Sequence, residues 1–306
     1  MEPSDDARPG EEVMGDLIMF VCPDCKSPMQ DFYCQHCQSK FPLRDGFPVL
    51  LPLGEKFRDA VKIGDAYDDI YTRHTNVWND QGRTPEFIGY FADLLKPFST
   101  ARLLEIGCGE GFLLAAVRAP EKVAIDISVE ALRKARSRAR ADFSVALAER
   151  LPFPDASFDM VVSVGVMEHF LDDEEATREI YRVLRPSGHY VVLIHANLST
   201  AQSIALKFSE YVFPRFRPFA LVRWLYGKLT RSVIQPIQRR YTLQTARARL
   251  ETIGLRVSRI ITKRSDPLAP LSGPHVVILF SQKVLVASER LAEDRFQESS
   301  NMRILS

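Results

Sequence analysis

The sequence predicts an α/β protein built on a mostly parallel sheet, preceded by a small cysteine module. Three observations carry this expectation. LLEIGCGEGFL, Leu103 to Leu113, is an apolar strand that breaks into alternate glycines ahead of a helical stretch. About one helix later, KVAIDIS is a second short apolar run that delivers Asp126 at its end. Cys22-x2-Cys25 and Cys34-x2-Cys37 bring four thiols into two close pairs.

At 306 residues the chain can hold one sizeable core and a small accessory unit, and a formal charge of +1 makes no overall case for nucleic-acid binding. It contains no apolar run of the roughly 18 residues that a membrane span requires. The opening MEPSDDARPGEE has neither the basic start nor the apolar stretch of a secretory signal, so residues 1–17 read as an acidic flexible tail and the cytoplasm is the expected location. In residues 18–54 the two CxxC pairs, Cys22, Cys25, Cys34 and Cys37, can converge tetrahedrally on one structural zinc, which replaces a core too small to hold the module together. A disulfide pair is the competing reading, disfavoured in a reducing compartment. His36 is not expected as a further ligand. Residues 55–97 contain AYDDIYTRHTNVWNDQG, in which Tyr67, Tyr71 and His74 have the spacing of an amphipathic helix packing its aromatic residues on the domain.

The main domain is expected over 98–285. Gly107, Gly109 and Gly111 allow a tight turn with amide donors facing a ligand, and Asp126 stands where a carboxylate accepts hydrogen bonds from two ribose hydroxyls. No GxxxxGK run follows, so a nucleoside triphosphate is not indicated. Glu105, two residues before Gly107, suits a cationic or zwitterionic group better than a polyanion. Cys108 is read as a small packing residue, since no base partner for a nucleophile is evident. In SFDMVVSVGVMEHF, Met160 to Val162 read as a buried parallel strand, and Ser163 to His169 emerge at its carboxyl end, where open α/β sheets place their crevice. His169 could take a proton from an acceptor or could cap the next helix; His195, after YVVLI, is a second candidate base at the mouth.

LLEIGCGEG, Asp126, ALAERLPFPDASFDMVVSVGVMEHF and EIYRVLRPSGHYVVL, spanning Leu103 to His195, together resemble the successive motifs of the class I S-adenosylmethionine-dependent methyltransferases, in particular the small-molecule subgroup. The resemblance implies a seven-stranded mixed, mostly parallel sheet and S-adenosylmethionine as cofactor. It places Glu105, Gly107, Cys108, Gly109 and Gly111 around the methionine part, Asp126 on the ribose, Ile127 against adenine, and Ala148 and Glu149 beside it. Ser163 joins these as a cofactor contact at its strand end, and Tyr71 as the tyrosine of a cover over residues 55–97. Where the family often carries an aspartate before that Ala–acid pair, this chain has Leu147, which leaves an adenine amino contact to the main chain or to Glu149. Val21 to Pro52 also resembles the small zinc-ribbon proteins that accompany methyltransferases, the Trm112-like family.

After the fifth strand a helical insertion is expected over 198–241. From Ala205 to Arg249, ten basic residues face the single acidic Glu210, interleaved with aromatic residues and interrupted by Pro214, Pro218 and Pro236. Such a segment could contact an anionic membrane as a peripheral surface, grip a phosphorylated substrate or RNA, or pack on the core as the roof of an acceptor pocket. TLQTARARLETIGL has helical periodicity, LRVSRIITKR and PHVVILFSQK read as the last two strands, and residues 286–306 as a polar tail. The expected function is methylation of a small or medium-sized, hydrophobic or aromatic metabolite at oxygen or nitrogen. RNA methylation and a non-enzymatic zinc-containing assembly role are the alternatives, and oligomeric state is left open.

Overall fold

A computed structural model describes residues 20–74, 84–98, 102–196, 239, 241–264 and 275–284. The two terminal tails, Trp78 and the insertion apart from Arg239 and Tyr241 lie outside the described residues.

The chain begins with two hairpins of minimal length, β1 (Tyr33–Cys34) with β2 (Ser39–Lys40) and β3 (Leu43–Arg44) with β4 (Phe47–Pro48). Asp45 and Gly46 form the second turn, both at positive φ, as a two-residue hairpin loop requires. Cys22, Cys34, Phe41 and Leu50 form the small buried cluster of this unit. Next come α1 (Ala60–Arg73) and α2 (Pro85–Leu95), the latter started by Thr84, whose hydroxyl accepts from Phe87 N, with proline at its first position.

Seven strands then form one sheet: β5 (Arg102–Ile106), β6 (Glu121–Asp126), β7 (Asp142–Val145), β8 (Phe158–Val164), β9 (Leu184–Ala196), β10 (Leu255–Arg264) and β11 (His275–Lys283). Their spatial order is β10-β11-β9-β8-β5-β6-β7. Only β11 runs against its neighbours, so the sheet is mixed and mostly parallel, as the sequence predicts. The central stretches of the parallel strands are rich in apolar residues because helices cover both faces: Leu104, Ile106, Val123 and Ile125 pack on one side, and Leu103, Ala124, Met160 and Val162 on the other.

Helices α3 (Phe112–Ala116), α4 (Val129–Arg138), α5 (Asp173–Val183) and α6 (Leu243–Thr252) complete the layers. Ser128 caps α4 by accepting from Ala131 N. Asp172 caps α5 by accepting from Glu174 N and Glu175 N, with three acidic residues in the first turn complementing the helix dipole. β5 has β6 on one side and β8 on the other, so the connections leave in opposite directions and open a crevice at the strands' carboxyl ends.

The N-terminal unit is fastened to this sheet. Val21 N donates to Pro152 O at 3.0 Å, Leu50 N donates to Val145 O at 2.8 Å, and Val49 pairs in parallel with Val145 on β7. Lys26, in the turn of the first CxxC knuckle, reaches across to Glu179 Oε2 at 2.6 Å and to Leu151 O at 3.2 Å. Glu179 also receives Arg182 at 2.7 Å, so one carboxylate serves two cations, each largely buried. Replacing Glu179 by Gln removes the counter-charge of Lys26 and leaves Arg182 with Asp155 at 2.7 Å; because breaking one side of a buried ion pair costs about 3 kcal/mol, urea denaturation should show a loss of that order.

Candidate functional site

The crevice is an open cleft of about 740 Å³. Its floor is the end of β5, with Ile106 and Gly107, and the end of β6, with Ile125, Asp126 and Ile127. Gly107 has φ +65°, and a Cβ there would lie 2.6 Å from the methyl carbons of Val166 on the opposite wall. Glycine is therefore required both by the turn and by the close approach of the loop after β8.

Asp126 is the electrostatic centre of the cleft. Gly109 N donates to its Oδ2 at 2.8 Å and Ser128 N to its Oδ1 at 3.0 Å, which fixes the carboxylate plane and leaves each oxygen able to accept another hydrogen bond. Burial pushes its pKa up to about 6, against the pull of the Ser128 and Gly109 amides, and the Asp68 carboxylate adds to the rise. Asp68 in turn accepts from Ser128 Oγ at 2.6 Å and Glu130 N at 3.0 Å, pinning α1 to the start of α4.

Helix α1 forms one wall. Ile63, Tyr67 and Tyr71, four residues apart, all face the cleft. Gly64 permits this contact, since a Cβ there would stand 3.0 Å from Ile127 O. The Tyr67 hydroxyl is buried with no hydrogen-bond partner among the described residues, and burial together with the Asp126 charge holds it firmly protonated. Tyr71 is buried, with Lys134 Nζ 5.9 Å from its ring centre and donating to its carbonyl.

The opposite wall follows β7 and β8. Ala146, Leu147 and Ala148 give an apolar surface, joined by Phe170 and Leu171. Glu149 lines the cleft but commits Oε1 to Leu171 N at 2.6 Å and Asp172 N at 3.2 Å, so it anchors that wall. Burial raises its pKa.

Of the residues singled out in the sequence, Tyr71, Gly107, Asp126, Ile127, Ala148, Glu149 and His169 line this cleft. Others do not. Ser163 shares a sheet face with the cleft-lining Ile106 but does not itself line the cleft: its buried hydroxyl lies 2.7 Å from the Tyr190 hydroxyl on β9. Glu105 is buried in β5 behind the glycine loop, away from the cleft wall. Gly109 acts through its amide on Asp126, and Gly111 starts α3, packed against Ala135. Cys108 faces the interior, where burial and then the Asp126 and Glu105 charges raise its thiol well above the ordinary value, so it is inert. His195 is outside the lining and pairs with Glu168. Tyr67 and Asp68 were not chosen from sequence as site residues, although the i, i+4 spacing of Tyr67 with Tyr71 is the signal that marks it.

At the other end of the chain's path, the four Sγ atoms of Cys22, Cys25, Cys34 and Cys37 all lie within 4.8 Å of one another. Cys22 and Cys37 sulfurs are 3.9 Å apart and those of Cys25 and Cys34 are 3.5 Å apart, too far for disulfide bonds. Cys37 N points at Cys34 Sγ at 3.4 Å, the amide-to-sulfur contact that stabilises a thiolate. This donor set could hold a metal ion. Among the described residues no helix is long and apolar enough to cross a membrane.

Residues 104–192 match the family model described as "Methyltransferase domain". A Mycobacterium tuberculosis protein named as a probable S-adenosylmethionine-dependent methyltransferase is 45% identical over 103 residues, 32% of this chain and 37% of its own length. The 27-O-demethylrifamycin SV methyltransferase of Amycolatopsis mediterranei is 32% identical over 145 residues, 40% of this chain and 53% of its own. The matched stretch thus spans between about a third and a half of these relatives. In fold, the chain is similar to the magnesium protoporphyrin IX methyltransferase of Synechocystis PCC 6803, with TM-score 0.52 and 14% identity, covering 74% of this chain and 100% of that one.

The buried Asp126 generates a pH signature. Its folded pKa of about 6 lies above the ordinary 3.8, so between those values the native state holds more protons than the unfolded chain and stability falls as pH rises through this window. Urea denaturation from pH 4 to 7 should show that decline in the wild type relative to Asp126→Asn, which lacks the group; parallel curves would contradict the assignment.

Proposed function

We propose that this protein, whose residues 104–192 are a class I S-adenosylmethionine-dependent methyltransferase domain, methylates a small or medium-sized, hydrophobic or aromatic metabolite at oxygen or nitrogen. The observation that carries the reading is the Asp126 carboxylate, oriented by Gly109 and Ser128 amides inside a cleft whose walls are otherwise apolar. A nucleoside satisfies both halves of that environment: its vicinal hydroxyls pair with the carboxylate, and its base lies between Ile127, Leu147 and Ala148. Gly107 lets the backbone approach the amino-acid end, and Tyr67 offers its hydroxyl from the α1 side. When bound, S-adenosylmethionine supplies an electrophilic methyl carbon on a positively charged sulfur. The protein's part is alignment of the acceptor with that carbon and exclusion of water. The relative named for a rifamycin substrate supports a metabolite acceptor.

The N-terminal unit, 18–54, is proposed to hold one structural zinc. Four sulfurs select a soft, tetrahedral ion, and four buried residues are too few to hold a free-standing core. Residues 55–97 then act as the cover and 98–285 as the methyltransferase domain, in a reducing, cytoplasmic setting that keeps the thiols available.

Incubation with isotopically labelled S-adenosylmethionine and native extract should place label in RNase-resistant small molecules. Label lost on RNase treatment would transfer the assignment to RNA. Asp126→Ala removes charge-assisted hydrogen bonds worth about 1.5–3 kcal/mol, so calorimetry should show S-adenosylhomocysteine binding weakened by roughly 10- to 100-fold. Metal analysis of protein purified under reducing conditions should give about one zinc per chain, and Cys22→Ser should lose it together with thermal stability.

A further inference from the structure

His169 lines the crevice and His195 lies outside its lining. His169 shares its wall with Phe170, Ala148 and Glu149, the surface assigned to the nucleoside. His195 is the penultimate residue of β9, one strand beyond β8, past the last β8–β9 partners Val164 and Leu193. With the donor occupying the carboxyl ends of β5, β6 and β7, the β8–β9 end is the side left for an acceptor.

There His195 is built into a pair. Glu168 Oε1 accepts from His195 N at 2.6 Å and lies 3.2 Å from His195 Nδ1. Glu168 is 4% exposed, and its second oxygen, Oε2, is buried with no hydrogen-bond partner among the described residues. The His195 side chain is 28% exposed. A carboxylate only accepts, so Nδ1 carries the hydrogen and Nε2 presents a lone pair. Burial alone would raise Glu168, but the His195 contacts outweigh it and keep the carboxylate ionised.

We propose that Glu168 and His195 form a carboxylate–imidazole pair that removes the proton of a hydroxyl or N–H acceptor, with His195 Nε2 as base and Glu168 as its positioning residue. The inference rests on the methyl-transfer reading above and narrows the acceptor to groups that lose a proton. The acceptor's lone pair forms the bond to the methyl carbon as the carbon–sulfur bond breaks and leaves its electron pair on sulfur. The acceptor's proton passes to Nε2, and the resulting imidazolium faces Glu168.

Other ionisable groups stand around the pair: His169 directly follows Glu168 in the chain, and the charge of Glu168 acts on Tyr190 and Tyr241. Tyr190 and Tyr241 are held protonated by burial, and Asp173 accepts from Tyr241 at 2.7 Å while meeting Arg249 at 3.4 Å and Arg239 at 3.9 Å. Arg239 also donates its backbone N–H to Glu168 O at 2.7 Å.

The test uses the full-length protein, labelled S-adenosylmethionine at saturation and the small-molecule fraction of native extract, from pH 6 to 9. Wild type should show one ionisation limiting the rate on its acid side. His195→Gln should lose about 100-fold or more, the usual contribution of a general base, while S-adenosylhomocysteine binding by calorimetry stays within twofold. Glu168→Gln should also slow the reaction and move the ionisation to lower pH, and Glu168→Asp should restore part of the rate. A His195→Gln enzyme with wild-type rate and pH profile overturns the pair. Wild type that labels nothing overturns the methyl-transfer reading first, a different result from an active wild type with an indifferent variant. Should the variants fail to fold, long-range proton–nitrogen NMR of wild type decides: a neutral His195 protonated at Nδ1 supports the pair, and protonation at Nε2 overturns it.

Discussion

The site depends on a carboxylate kept in a place where it is costly to keep one. Asp126 ends a buried parallel strand, and the backbone amides of Gly109, Ser128 and Ile127 offset its loss of water. Those amides come from the loops that follow β5 and β6, so the glycine turn, the start of α4 and the orientation of the acid form one assembly. Asp68 extends it to α1 by capping the same turn of α4. Under the proposed function, a ligand rich in hydroxyl donors would relieve the residual electrostatic penalty, which would favour a nucleoside over an apolar molecule of similar size.

Much of this was legible in the chain. The seven-stranded sheet follows from apolar runs whose length and termination suit buried parallel strands, and the positions of Gly107 and Asp126 follow because their roles are local: a turn, a strand end. What the chain does not show locally has another origin. Ser163 stands on the sheet face that carries the cleft-lining Ile106, yet its hydroxyl pairs with Tyr190 on β9, a residue 27 positions away. Glu149 has the expected place, yet its Oε1 is taken by Leu171 and Asp172, a long-range partnership invisible to spacing. The union of Glu168 with His195 is of the same kind, joining residues 27 positions apart, one in the turn after β8 and the other near the end of β9. Local geometry is written in sequence; the assignment of a buried acid to its partner is written in topology.

The cysteine unit and the sheet are also less separate than their sequence motifs suggest. Lys26 lies between metal-binding candidates Cys25 and the following turn, yet its charge is answered by Glu179 on α5, which Arg182 shares. Arg182 also bonds Leu151 O and Phe153 O, the segment that follows the Glu149 wall. The knuckle is therefore tied by polar contacts to the segment that follows the Glu149 wall.

The parallel pairing of Val49 with Val145 has a consequence for solubility. An open sheet has two rims, each a row of unpaired backbone groups able to recruit a strand from another molecule. On one rim β10 carries exposed Arg256 and Arg259, whose charges repel a like neighbour. The β7 rim is instead overlaid by the stretch leaving the cysteine unit, where Leu50 N takes the Val145 carbonyl. The N-terminal appendage thereby serves as a selvedge to the sheet, and a chain trimmed of it would carry a sticky border into every encounter with its own copies.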